Sequence, residues 1–243
     1  MNRSARAAVM LTLGAIVARL LWSGGFGWFV QQRMRWPLIA ATVVLLVFGV
    51  YEVVSSVGEE EKDPEAVRRS AGPTVGWFLL LPVMVLMSVA PTGLGVAAAS
   101  RIDAYTPTET DDPFEPLDTS SGPPHIRVFD FLERATWDES GSLENTAVRL
   151  EGLVVNDPEL TDGFRLTRFL VSCCAADGIP LQVHLHGVDS PLADETWVVV
   201  DVIWRPPSTS YRENEGDWIV EADVIQLTVV PDAPSDAYES PYE

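Results

Sequence analysis

The chain has 243 residues, 35 acidic against 16 basic, for a formal net charge of −19 at pH 7, yet 47% of it is hydrophobic and its mean hydropathy is positive. One uniform globule does not combine those properties. Twenty-nine of the 35 acidic residues fall after Ser100, facing eight arginines and no lysine, so this part carries about −21 and repels polyanions, which argues against nucleic acid as a partner.

The apolar residues concentrate in residues 1–100. One run spans Ala7 to Val30 and a second spans Trp36 to Val57, each long enough to cross a hydrocarbon layer about 30 Å thick. A third runs from Thr74 to Ser100 and holds Pro82 and Pro91, which a membrane helix tolerates as kinks. A cleaved signal peptide has one short apolar core, whereas here a second long run follows at once. The expectation is a membrane domain of three transmembrane helices over residues 1–100, in contact with lipid.

Basic residues near the span ends set the expected orientation. Arg3, Arg6, Lys62, Arg68 and Arg69 fall on one side, and Arg33, Arg35 and Arg101 on the other. The N-terminus is therefore expected in the cytoplasm of a multi-pass protein of the cell membrane, and the C-terminal domain outside. Arg19 lies within the first run, where a charge is costly unless it reaches headgroups or protein. It is a candidate contact to a partner helix, together with Glu52 of the second run.

Residues 101–124, rich in Pro, Thr, Ser and Asp without apolar period, read as an extended acidic linker. A short helix is expected within "VFDFLERATWDES". From Thr146 the pattern turns to period two, in "TAVRLEGLVV", "FRLTRFLVS", "PLQVHLHG", "TWVVVDVIWR" and "WIVEADVIQLTVV". Five strands, with Gly152 in the first where a small barrel must bend, point to an all-β, OB-like five-stranded barrel over residues 125–243. A small open sandwich is the alternative. The inward faces of Trp197, Val199, Ile203, Trp204 and Trp218 are left open.

The chain's two cysteines, Cys173 and Cys174, fall with Asp177 in the turn between the second and third strands, and His184 and His186 share one face of the third. Thiolate and imidazole suit zinc or copper(I). Against that stand the absence of CxxC spacing and the divergence of adjacent side chains in extended chain. Three readings stand: a metal site of Cys173, Cys174, Asp177, His184 and His186; a thiol redox site; or buried cysteines with histidines on a wet face. No P-loop, GxGxxG, HExxH or GxSxG is present, so no conventional catalytic centre is expected.

A multi-span N-terminus, a polar linker, "RFLVSCCAADGIPLQV", "DETWVVVDVIW" and the tail "PDAPSDAYESPYE" together resemble the YcgQ-like bacterial membrane proteins. The resemblance covers essentially the whole chain. Its most specific element is CC-x-AD, matched by Cys173, Cys174, Ala176 and Asp177, preceded by Arg168 and Phe169. The family's glycine after the fourth strand's "WV.V" is replaced here by Asp201. The resemblance implies the accessory subunit of a two-part permease whose partner is a YraQ-like multi-span protein. It supports Arg168, the cysteines and Asp177 as binding residues, not the histidines. The expected function is a non-enzymatic, membrane-anchored permease subunit whose outer domain binds or gates a solute, with a metal ion among the candidates. The alternatives are an extracytoplasmic thiol redox protein or sensor, and a structural envelope protein.

Overall fold

The structure is a computed structural model that describes residues 3–60, 94–108, 114–158, 160, 162–188, 192–206, 219–231, 234 and 237–242. The chain divides into two compact units, Met1–Gly93 and Leu94–Glu243.

In the first unit, α1 (Arg3–Ser23) and α2 (Arg35–Glu60) pack as a hairpin. Both are long and apolar enough to cross a membrane, over Arg6–Ser23 and Gln32–Ser55. Small residues let them approach. A Cβ on Gly14 would stand 2.8 Å from Leu46, and one on Gly49 would stand 2.8 Å from Leu11. The first helix is shorter than the apolar run suggested. It ends at Ser23, Gly24 turns in the left-handed region at φ 73°, and two 3₁₀ turns, Gly25–Trp28 and Gln32–Met34, lead into α2. Val43, Val47, Phe48, Val50, Tyr51 and Val54 stay exposed on α2, a surface that suits lipid and not water. The expected third span falls, for residues 74–93, outside the described residues.

Its last seven residues are described and belong to the second unit. Leu94 to Ser100 form a bend and a single helical turn, α3 (Val96–Ala99), and do not continue an apolar span. Leu94, Val96, Ala98 and Ala99 pack instead with Leu153, Val155, Phe169, Val171 and Tyr238. The boundary between units therefore lies at Gly93/Leu94 and not at Ser100.

The expected short helix is α4 (Val128–Trp137), and the five expected strands are β1 (Ala147–Val155), β2 (Gly163–Leu170), β3 (Ile179–His186), β4 (Trp197–Arg205) and β5 (Val220–Val230). They close into a five-stranded mixed barrel. β1 pairs with β4, β4 with β5, β5 in parallel with β3, β3 with β2, and β2 returns to β1. A sixth, two-residue strand, β6 (Tyr238–Glu239), runs parallel to β2 beyond the point where β1 leaves it.

The period-two pattern explains what lies inside. Val148, Leu150, Phe164, Leu166, Leu181, Val183, Leu185, Val198, Val200, Val202 and Ala222 fill one core, joined by Val128, Phe131 and Leu132 of α4. On β4 the inward set is thus Val198, Val200 and Val202, and the alternate residues Trp197, Val199 and Ile203 face outward. Trp218 lies outside the described residues. β1 serves two neighbours, β4 over Ala147–Leu153 and β2 over Leu153–Val155. Gly152 sits at the changeover, where a Cβ would stand 2.9 Å from the Thr167 carbonyl oxygen.

The segment expected to be a linker is extended, with no regular element among its described residues, but it is fastened to the barrel. Tyr105 donates its amide to the Pro180 carbonyl at 2.8 Å and its hydroxyl to Glu133 at 2.6 Å. Burial first, and then that carboxylate, push the Tyr105 hydroxyl up to about 12. Leu117 packs on the core, and the Arg134 guanidinium lies 5.2 Å from the Phe114 ring centroid. Burial of a few apolar residues among many polar ones is what fixes such a strap.

Candidate functional site

β2 ends at Leu170, and the chain turns through Ser172 and Cys173 into a 3₁₀ turn at Ala175–Asp177 before β3 begins at Ile179. Asp177 ties this turn shut. Its Oδ1 accepts the Ser172 amide at 3.1 Å and its Oδ2 accepts the Cys173 amide at 2.9 Å. Leu94 packs so closely on the far side that a Cβ on Gly178 would collide with its Cδ1.

The bend overcomes the divergence expected of adjacent side chains. The Cys173 and Cys174 sulfurs and an Asp177 carboxylate oxygen all lie within 4.8 Å of one another, with Cys173 and Asp177 exposed and Cys174 half-buried. Both thiols are unbridged. The Asp177 hydrogen bond, followed by that of Cys174, pushes the Cys173 thiol up to about 11. Partial burial opposes ionisation of Asp177, but the Cys173 thiol and the Cys173 and Ser172 amides outweigh it and hold the carboxyl below its usual range. A thiol kept protonated at neutral pH is a poor nucleophile, although a thiophilic cation displaces its proton.

His184 and His186 are not brought to this turn. They lie five and seven residues along β3 from Ile179, which places His184 about 16 Å away at the strand's rise per residue. His184 is half-buried, and burial first, then the Arg165 charge, lowers its pKa. His186 belongs to another network: its Nδ1 is 3.0 Å from Asp162 Oδ1 and its Nε2 is 3.7 Å from Glu221 Oε1. Glu221 in turn lies near Arg205, which pairs with Asp223.

Arg168 is a neighbour of the turn in sequence and serves a different place. Its side chain is 7% exposed, its guanidinium lies 5.3 Å from the Trp197 ring centroid, and its Nε lies 3.6 Å from Glu239 Oε1. It lines a small polar cavity of about 110 Å³ with His125, Arg127, Glu151, Tyr238 and Glu239, where β1 and β2 part. Glu239 also accepts the Val128 and Phe129 amides, both at 2.8 Å, and so caps α4 from the far end of the unit. Burial raises the Glu239 pKa, against the pull of Arg168 and these amides. Arg127 Nη1 donates to the Ser240 carbonyl at 2.9 Å, and the Tyr238 hydroxyl accepts the Leu94 amide at 3.1 Å. The Val171 amide donates to the Glu239 carbonyl at 2.9 Å, which links the tail to the start of the cysteine turn.

In the first unit, Arg19 and Glu52 do not meet. Leu11 lies beside Gly49, so Glu52 sits beyond Leu11 toward the start of α1, while Arg19 sits eight residues the other way, an axial separation of about 16 Å. Arg19 is exposed, four residues short of the end of α1 once that end is placed at Ser23.

No protein-family model matches the sequence, and no curated protein matches it. Among solved structures, a chain described as "putative aspartyl-tRNA synthetase from Leishmania major Friedlin" is 13% identical with a TM-score of 0.26, over 55% of this chain and 24% of that one. This chain thus spans about a quarter of that protein's length, and the likeness carries no argument about fold or activity.

Proposed function

We propose that the chain is a membrane-anchored, non-enzymatic subunit of a permease, whose outer barrel binds or gates a solute at the Cys173–Cys174–Asp177 turn. The observation that carries this reading is the convergence of three ligating atoms within 4.8 Å at a solvent-facing turn, on a chain that also has two membrane-length apolar helices. The closed strand order, with β3 and β5 parallel, is that of an OB-like barrel, a scaffold that binds ligands through its loops. On this reading the N-terminus lies in the cytoplasm and the barrel outside, which requires a third crossing by the apolar run of residues 74–93 in addition to the two helices, and Arg19 lies against headgroups or a helix of the multi-span partner. A thiol redox enzyme is disfavoured because the Asp177 hydrogen bond raises the Cys173 thiol instead of activating it and neither His184 nor His186 reaches the turn.

The test is extraction of the full chain from its native membrane in mild detergent. It is expected to migrate with a multi-span protein in fixed ratio, and Cys173→Ser with Cys174→Ser to abolish solute handling while leaving that complex intact. A chain that migrates alone, under conditions that preserve other membrane complexes, overturns the proposal.

A further inference from the structure

We infer that the Cys173–Cys174–Asp177 turn takes one soft, thiophilic cation of the copper(I) class, held chiefly between the two sulfurs. This names the solute for the site just proposed and rests on that reading of the turn. Hard cations are excluded first, since calcium and magnesium require six or more oxygen ligands and the turn offers one carboxylate beside two sulfurs. Zinc takes four protein ligands in a closed site and three firm ones plus water in an open site. Among the described residues no fourth histidine, cysteine or carboxylate joins the three, and His184 and His186 lie well along β3.

The carboxylate itself is partly committed. Each Asp177 oxygen already accepts a backbone amide, from Ser172 and Cys173 respectively, so it can approach a cation only as a weak third donor. The two sulfurs remain, and metal–sulfur bonds of about 2.3 Å let a single ion span a pair separated by less than 4.8 Å without refolding the turn. Both ions take thiolate donors, but a coordination number as low as two is what copper(I) accepts and zinc resists. Binding balances as one cation and two thiols giving one dithiolate complex and two released protons, with no change of oxidation state. The exposed Cys173 leaves the ion open to exchange, which suits delivery to a transporter over permanent storage.

The experiment uses the full chain in detergent, kept anaerobic, with copper(I) generated by ascorbate as the probe and zinc(II) as competitor. The expected result is one copper(I) per chain, both thiols protected from alkylation together, and retention in excess zinc. Cys173→Ser or Cys174→Ser each weakens binding by about a hundredfold, because chelation becomes a single contact. Asp177→Asn costs about tenfold, as loss of a supporting group does, and His184→Gln with His186→Gln leaves the stoichiometry at one. Circular dichroism of each variant shows that the fold is retained. Displacement by equimolar zinc, undiminished binding with one cysteine, or loss of copper in the histidine variant overturns the inference. The two proposals fail separately: copper(I) binding by a chain that migrates alone removes the permease and keeps the site. A cysteine-dependent permease complex that binds no copper(I) removes this inference and keeps the permease.

Discussion

Arg149 and Asp201 face each other across the β1–β4 ladder and form a two-pronged pair, with Nε to Oδ1 at 2.7 Å and Nη2 to Oδ2 at 2.9 Å. Asp201 is itself buried, at 7% exposure. Directly after it the β4–β5 register slips: Asp201 pairs with Gln226 but Val202 with Val224, leaving Ile225 as the extra residue of a bulge. The aspartate therefore adds a cross-strand tie at the place where the ladder is irregular. Asp201→Asn is expected to lower the thermal midpoint of the barrel by a few degrees. In that background Arg149→Ala should add almost nothing, and a double-mutant cycle measures this coupling.

Removal of residues 238–243 is expected to destabilise the second unit by more than a loose tail would. The truncation leaves Arg168 buried without Glu239, and loss of one partner of a buried pair costs about 3–5 kcal/mol. It also takes the acceptor from two amides at the start of α4, where caps are worth about 0.5–2 kcal/mol. Hydrogen exchange at Val128 and Phe129 is the direct readout, and unchanged protection there would contradict the capping role.

Gly152→Ala tests the bend that closes the barrel. The added Cβ meets the Thr167 carbonyl, a backbone atom that cannot rotate away, so a loss of about 1–3 kcal/mol is expected, as for overpacking. Denaturant unfolding followed by tryptophan fluorescence measures it.

His184 makes stability depend on pH in a defined direction. Its folded pKa lies below the ordinary 6.5, through burial and then Arg165, so just below pH 6.5 the unfolded chain binds the proton and the folded chain does not. The stability associated with this histidine is complete above pH 6.5 and is lost as pH falls toward the folded value. His184→Gln is expected to flatten the stability profile in that window, with ring chemical shifts reporting the titration of the parent.

Much of the second unit was legible because alternation is a local signal. Val148, Leu150, Val198, Val200 and Val202 announce β1 and β4 through period two, and Gly152 marks the bend. The grouping of Cys173, Cys174 and Asp177 was legible for the same reason, since a hairpin turn keeps sequence neighbours close. His184 and His186 were legible as residues of β3, and the strand carries them away from its turn at over 3 Å per step, so the turn residues stand without them. Glu239 gave no signal at all. A single acid in a Pro-rich tail looks solvated, and its partners Val128, Phe129 and Arg168 are distant in sequence. Tyr105 and Leu117 were overlooked because one apolar residue among ten polar ones creates no period. Leu94 to Ser100 continued an apolar run, but four small or aliphatic side chains serve a barrel flank as readily as a bilayer.

The parallel β3–β5 pairing bears on how the second unit forms. Val183 must find Val220 across the whole of β4 and its connections, and Phe169 must find Tyr238 across a longer interval still. Loops of that length close late and slowly, after the β2–β3 hairpin has already formed. Until β5 arrives, β3 and β4 each present an unpaired edge, and the barrel that ends with no open edge of its own begins as a sheet with two. Refolding is expected to be rate-limited by this closure, and mutations in β5 are expected to slow folding more than equally destabilising mutations in α4.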